Sequence, residues 1–143
     1  MFKRELYVGA MGLLLALLVS GCTMGSPGVE VAQKAVDGFY QAQQQGDLDK
    51  ALTFYTDKGA KEEWRGYLEH LRGALGTVQS FEQKGVEVNT VLIGRYYIFD
   101  YQVNYSSGKG AKETLTLFDS VDEGDTPLIA AYAIMAEGFK PLF

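Results

Sequence analysis

Few side chains in this 143-residue chain are suited to acid–base chemistry, because it holds a single histidine and a single cysteine. Asp100 lies inside the most hydrophobic strand-like segment, where burial would raise its pKa and let it act as a general base. Strand alternation, however, places Asp100 with Gln102 and Asn104 on the more polar side. His70 falls off the apolar side of its predicted helix, which is more typical of a boundary residue than of a proton shuttle.

Tyrosines are the most unusual feature of the second half of the chain. Tyr97, Tyr101 and Tyr105 alternate along one side of a predicted strand, where they would line a pocket, grip an apolar ligand and place a hydroxyl group. The alternative is an aromatic sheet core with hydroxyl groups at its rim. We carry these tyrosines and Asp100 as candidate ligand-binding residues and assign no catalytic residue.

Acidic residues cluster near one predicted turn, and such oxygens are the ligands that Ca²⁺ prefers. The spacing of a calcium loop fails, because Val121 and Glu123 stand where Asp or Asn is needed before Gly124. We therefore predict a charged hairpin turn and expect neither a metal nor a cofactor. The formal net charge of −5 argues against a nucleic-acid partner, which would require a basic patch. The cluster comprises Asp119, Asp122, Glu123 and Asp125.

The amino terminus is typical of a secretory signal. Two basic residues at positions 3 and 4 precede thirteen uncharged residues, 7–19, too few to span a bilayer as a helix, which takes about 20. The run ends in Val19-Ser20-Gly21-Cys22, which resembles the lipobox of bacterial lipoproteins. That resemblance implies removal of residues 1–21, attachment of diacylglycerol to the Cys22 thiol and acylation, for example with palmitate, of the new amino terminus.

Lipid rather than protein surface would then hold the protein on the membrane. The chain from Cys22 onward carries a net charge of −6, which repels anionic headgroups, whereas two or three acyl chains anchor stably. In Gram-negative lipoproteins, Asp after the lipidated cysteine resembles a signal for retention in the inner membrane. The resemblance to these proteins, with Thr23 at that position, therefore implies the periplasmic face of the outer membrane in a Gram-negative source. We expect a cell-envelope protein with a lipidated tether over residues 22–28.

Helical periodicity fills the first half of the mature chain. It predicts a first helix over 29–45 and a second helix that begins after an N-cap at Asp47. A third helix is predicted over 60–75, with Gly76 just beyond its end. Trp64, Leu68, Leu71 and Leu75 form the apolar stripe of the third helix. As a core residue, Trp64 would cost about 3–5 kcal/mol when truncated to Ala.

Strand alternation fills the second half, with segments at 77–90, 95–105, 112–119 and 128–136 joined by short turns, which indicates an antiparallel meander. We predict a bend or bulge at Gly85. The order of elements predicts an α+β fold with three N-terminal helices packed on a curved four-stranded antiparallel sheet, cone-like in shape. The domain would span 29–137, followed by a tail over 138–143.

This order resembles the nuclear-transport-factor-two-like superfamily, also called cystatin-like α+β cones. Three patterns more narrowly resemble a family of uncharacterised bacterial secreted domains within it. They are Trp64 with Leu68, Arg72, Leu75 and Gly76; Tyr96-Tyr97 with Tyr101 and Tyr105; and Glu113-Thr114-Leu115 with Ala131-Tyr132. The resemblance implies a fold without a reaction, because the superfamily includes acid–base enzymes as well as binding and dimerising domains, and no catalytic motif of those enzymes is present.

Two functions stay open. The preferred one is a non-catalytic domain displayed on a membrane by its lipid, which binds a protein partner or a small apolar ligand and pairs with a partner or a second copy through the sheet. The face that carries Tyr96 and Ile98 would be one docking surface. The alternative is a small acid–base enzyme, of isomerase or hydratase type, that uses Asp100 or a tyrosine inside the cone.

Overall fold

The computed structural model describes residues 27–56, 60–121 and 126–140. The predicted signal peptide, Cys22 and most of the predicted tether lie outside these residues, as do Asp122, Glu123 and Asp125. Among the residues described, no helix is both long enough and apolar enough to cross a membrane.

Helix α1, Pro27–Gln44, supplies more buried apolar residues than either of the other two helices. Its apolar side is buried, with Val36, Phe39 and Tyr40 fully inaccessible to solvent. The helix begins two residues before the predicted start, so Pro27 and Gly28, which we had assigned to the tether, belong to it. Proline suits the first turn of a helix, where its missing N–H group is not needed.

Two shorter helices follow. Helix α2, Leu48–Leu52, is capped as predicted by Asp47, whose side chain accepts a hydrogen bond from the Lys50 N–H group at 3.0 Å. Helix α3, Lys61–Leu75, ends at Gly76, whose φ of +89° suits a residue without a Cβ. Trp64 is only half-buried, because Tyr67 takes the innermost place in that part of the stripe.

Four strands form one antiparallel sheet in the order β1-β2-β3-β4. They are β1 (Val78–Val91), β2 (Gly94–Tyr105), β3 (Gly110–Ser120) and β4 (Leu128–Ala136). The pairing of β1 with β2 shifts between Gln83 and Gly85, which confirms the predicted bulge and leaves Lys84 as the extra residue. The structure is therefore an α+β fold with three helices and a four-stranded antiparallel sheet, as predicted.

One face of the sheet packs against the helices and forms the core. On β2, Tyr97, Phe99, Tyr101, Val103 and Tyr105 are buried, whereas the residues between them are half-buried or exposed. Phe139, which we had assigned to the tail, is also buried and its ring lies 6.2 Å from that of Tyr67. The packed unit thus extends at least two residues beyond the predicted end of the domain.

Candidate functional site

A carboxyl group lies at the centre of the core. Strand β3 turns Ala111, Glu113, Leu115 and Leu117 toward the helices, because successive side chains of a strand point to opposite faces. Glu113 is consequently 1% exposed. A charged side chain at such a depth is costly unless its oxygen atoms are hydrogen-bonded.

Three tyrosine hydroxyl groups meet that carboxyl group. The Tyr40 hydroxyl donates to Oε1 of Glu113 at 2.9 Å, and the Tyr132 hydroxyl donates to the same oxygen. The Tyr105 hydroxyl donates to Oε2. The donors come from α1, β4 and β2, so the carboxyl group of β3 ties one helix to three strands. We call these four residues the carboxyl centre.

Burial controls the protonation of the carboxyl centre. Removal from water raises the pKa of Glu113 to about 7, although the hydrogen bonds from the three tyrosines pull it downward. Burial also raises the pKa of Tyr40, Tyr105 and Tyr132, and the charge on Glu113 raises it further. The tyrosines therefore stay protonated as donors at neutral pH, while Glu113 exchanges a proton within the physiological range.

The three predicted tyrosines of β2 all point into the core but have different partners. Tyr105 belongs to the carboxyl centre. The Tyr101 hydroxyl accepts a hydrogen bond from Nε2 of Gln33 at 2.6 Å, and burial raises its pKa. Tyr97 is fully buried, and its hydroxyl group lies against Gly28 in the first turn of α1, where a Cβ atom would collide with it.

The other predicted site residues lie outside the core. Asp100 is exposed, and its carboxylate accepts a hydrogen bond from Oγ1 of Thr114 at 2.7 Å on the outer face of the sheet. Its side chain lies on the polar side, where strand alternation predicted it, and not inside the cone as the enzyme alternative required. His70 is exposed on α3, with its Nε2 atom 3.1 Å from the Lys140 carbonyl oxygen, which agrees with a boundary residue.

Among the described residues, the hydroxyl group of Tyr55 is buried near the carboxyl centre without a hydrogen-bond partner, and Nε2 of Gln43 is also buried without one. Nearby Tyr67 and Glu113 add to the effect of burial in raising the pKa of Tyr55. An unsatisfied buried hydroxyl destabilises the fold unless a water molecule or a ligand atom meets it.

Outside the carboxyl centre, the described residues form a cavity but no cluster of metal ligands. No group of three or more potential metal ligands occurs in the described part of the chain. A cavity of about 220 Å³ lies at the far end of β2 and β3, where Arg95 and Asp119 contribute to its lining. Asp119 is six residues from Glu113 along β3, roughly 20 Å at the rise of a strand, so this cavity is separate from the carboxyl centre.

Sequence reasoning missed Glu113, although a signal was present. The alternation that placed Leu115 and Leu117 on one face puts Glu113 on the same face, two residues earlier. A carboxylate in register with apolar residues of a strand indicates either an error in the strand or a buried acid with dedicated partners. The partners come from distant segments, which the sequence does not bring together.

Comparison with known proteins identifies the fold alone. No family model matches the chain, and no curated protein matches it. A candidate dehydratase of the NTF2-like family from Streptomyces avermitilis is similar in structure, with a TM-score of 0.52 and 12% identity over 75% of this chain and 94% of that one. Bd1075 of Bdellovibrio bacteriovorus gives a TM-score of 0.51 and 14% identity over 73% of this chain.

The second similarity covers only 38% of Bd1075, so this chain corresponds to part of that protein. At these identities the likeness extends to backbone architecture and not to side chains. The fold of this chain is therefore NTF2-like, as the resemblance to that superfamily implied, and its chemistry must be argued from its own residues.

Proposed function

We propose that this protein is a membrane-anchored lipoprotein whose NTF2-like domain binds a protein partner or a small apolar ligand without catalysis. The observation that carries the non-catalytic part is the closure of the carboxyl centre. Glu113 is 1% exposed and both of its oxygen atoms accept hydrogen bonds from tyrosines. A group so engaged holds α1 against the sheet and has no path to a substrate in this conformation.

The anchoring part rests on the sequence Val19-Ser20-Gly21-Cys22 and on the short distance to the domain. Helix α1 begins at Pro27, five residues beyond Cys22. Five extended residues reach roughly 17 Å, so the domain would lie close to the bilayer in the cell envelope. In a Gram-negative source, Thr23 favours the periplasmic face of the outer membrane.

Lipid attachment is tested by growing bacteria that express the full chain with an alkyne analogue of palmitate. The parent chain should take up the label and partition with membranes, and Cys22→Ser should lose the label. Met24→Leu, two residues beyond the modified position, serves as the matched control and should keep it. Equal labelling of the parent and Cys22→Ser would refute the anchoring proposal.

The binding surface that we favour is the outer face of the sheet, which points away from the helices. Tyr96, Ile98 and Phe118 are half-buried there, and the rings of Tyr96 and Phe118 lie 4.7 Å apart. Such an amphipathic surface suits a protein partner or a second copy of the chain. A photo-crosslinking residue at position 98 should give a discrete adduct in native membranes, whereas the same residue at exposed position 63 should not.

The second candidate is an acid–base enzyme of hydratase or isomerase type, favoured by the pKa of Glu113 near 7. The similar structure described as a candidate dehydratase supports the same reaction class. This function requires the core to open so that a substrate meets Glu113 and the Tyr55 hydroxyl.

A dehydration assay over small hydroxycarbonyl compounds separates the two candidates. For the enzyme, Glu113→Gln should abolish turnover while Asp100→Asn leaves it unchanged. For the binding domain, neither the parent nor the variants should show turnover, and the adduct at position 98 should persist in Glu113→Gln.

A further inference from the structure

Exposed apolar side chains concentrate at one end of the molecule. Among the described residues, eight large hydrophobic side chains are exposed, and six of them lie on the second half of β1, in the β1–β2 turn or at the end of β3. The most exposed of the six are Leu92 at 97%, Val121 at 69% and Ile93 at 60%. Single exposed apolar residues are ordinary, whereas a contiguous group marks a contact surface.

The backbone brings these side chains together into one ridge. Val91 pairs with Gly94 at the last step of the β1–β2 ladder, so Leu92 and Ile93 form the turn. The N–H group of Val121 donates to the Ile93 carbonyl oxygen at 3.2 Å, which sets the end of β3 beside that turn. We call Val91, Leu92, Ile93 and Val121 the apolar ridge.

The first turn of α1 lies at this same end. Gly28 is packed against the hydroxyl group of Tyr97, and a Cβ atom on it would lie 3.5 Å from the Arg95 guanidinium group. Arg95 is only two residues beyond Ile93. The chain that leads back to Cys22 therefore leaves the domain next to the apolar ridge, and its five residues reach roughly 17 Å.

We propose that the apolar ridge dips into the bilayer surface beside the lipid anchor and so orients the domain. This inference rests on the proposed lipid anchoring. Acyl chains at Cys22 would hold this end at the membrane, where the exposed Leu92 and Ile93 gain by leaving water. The opposite turn, Ser106–Gly110, then points away from the bilayer.

The occupant that we assign is a lipid surface rich in zwitterionic headgroups. No charged residue occurs between Glu87 and Arg95, so the turn that carries Leu92 and Ile93 has no charge that would resist burial, whereas Arg95 and Asp119 line the cavity beside Val91 and Val121. Acidic residues at positions 122, 123 and 125 follow Val121 in the sequence and would repel anionic headgroups. Raising the anionic lipid fraction should therefore weaken insertion.

Depth-dependent quenching tests the proposal on the full chain. The protein is purified from bacterial membranes and reconstituted in phosphatidylethanolamine–phosphatidylcholine vesicles. A fluorophore is attached at Leu92→Cys or, as the matched control, at Ser107→Cys in the opposite turn. The parent chain, without an added cysteine, is treated with the same fluorophore. Its fluorescence reports any labelling of Cys22 and is subtracted from that of the variants.

We expect the fluorophore at position 92 to be quenched by acyl-chain nitroxide and to lose quenching by aqueous iodide. At position 107 the pattern should be reversed. A fluorophore at Val121→Cys should likewise be protected from iodide. Adding the substitution Ile93→Asp to that variant should restore iodide quenching, because a charge in the ridge opposes insertion. Since these side chains are exposed, the variants should fold, which circular dichroism checks.

Iodide quenching at position 92 equal to that at 107 would overturn the proposal. So would protection from iodide without nitroxide quenching, since that result indicates a protein partner or a second copy on the ridge. Palmitate labelling of Cys22 separates this failure from that of the anchoring proposal. If the chain takes up the palmitate label but iodide still quenches the fluorophore at position 92, insertion of the ridge is refuted and anchoring is not. If the chain takes up no palmitate label but acyl-chain nitroxide quenches position 92, anchoring is refuted and insertion is not.

Discussion

Charged side chains are usually exposed and large apolar side chains usually buried. The carboxyl centre breaks the first rule and the apolar ridge breaks the second. Glu113 is a charged residue type at 1% exposure, and Leu92 is an aliphatic residue at 97% exposure. The first is compensated inside the fold by three tyrosine donors, whereas the second has no compensation within the described domain. A buried charged residue with dedicated hydrogen-bond donors has a role in the fold itself. An exposed apolar residue that packs against nothing in the domain indicates a contact with something outside it.

The strongest challenge to this comparison is removal of the buried carboxyl group. Glu113→Ala leaves Tyr40, Tyr105 and Tyr132 with unpaired hydroxyl groups around a new cavity. We expect the free energy of unfolding to fall by about 3–5 kcal/mol. Urea denaturation measures it, with Glu69→Ala on the exposed side of α3 as a control that stays within about 0.5 kcal/mol. A loss below 1 kcal/mol for Glu113→Ala would mean that the centre does not hold the fold.

The pH dependence of stability sharpens the same point. Burial raises the pKa of Glu113 from 4.5 to about 7, so the folded state holds a proton that the unfolded state releases. The resulting stability is fully present below pH 4.5 and is lost as the pH rises through about 7, with a total on the order of 3 kcal/mol.

Glu113→Gln isolates this contribution, because the amide keeps the shape of the side chain but does not titrate. The difference in unfolding free energy between the parent and Glu113→Gln, measured from pH 4 to pH 8, should shrink or reverse in favour of the variant as the pH rises. A difference that is flat across this range would contradict the raised pKa.

Trp64→Ala tests a residue of intermediate burial. Its ring centroid lies 4.5 Å from that of Tyr55 and 5.9 Å from that of Tyr67, but one side meets solvent. We expect Trp64→Ala to lower the free energy of unfolding by about 2 kcal/mol, less than truncation of a fully buried aromatic ring would. Leu68→Ala, at a fully buried position of the same stripe, should cost more, and the opposite ranking in thermal unfolding would show that the stripe is misassigned.

The smallest effect is expected at the apolar ridge. Leu92→Gln combined with Ile93→Gln should change the free energy of unfolding by no more than about 0.5 kcal/mol, because neither side chain packs into the fold. Leu117→Gln, an equivalent change at a fully buried position of β3, should cost several times more. A large loss from the ridge variant would show that the ridge belongs to the core and not to an external surface.

The fold was predictable from sequence to a useful degree because its signals are local. The apolar stripe of α1, the Asp47 cap and the alternation along β2 each depend on residues within one element. The corrections fall at the ends of the domain. Pro27 extends α1 because proline suits a first helical turn, and Phe139 is buried because Tyr67 lies next to it after the sheet has formed.

The site was less predictable. Asp100 and Glu113 are both acidic residues within apolar strands, and in each case alternation alone indicates which face the carboxylate occupies. It correctly placed Asp100 with the polar residues, and the same rule applied to β3 would have placed Glu113 inside. Alternation does not reveal which hydroxyl groups donate to Glu113, since Tyr40, for example, is 73 residues from Glu113 in sequence.

By itself, the sequence determined the class of fold, the order and approximate limits of its elements, and the prediction of a lipid anchor at the only cysteine. Periodicity and capping act between neighbours in the chain, so they are legible without a structure. Tertiary structure alone decided that three tyrosines converge on Glu113, and that the apolar ridge shares one end of the molecule with the start of α1. These juxtapositions join residues that are far apart in sequence, and only packing of the helix across the sheet brings them within contact distance.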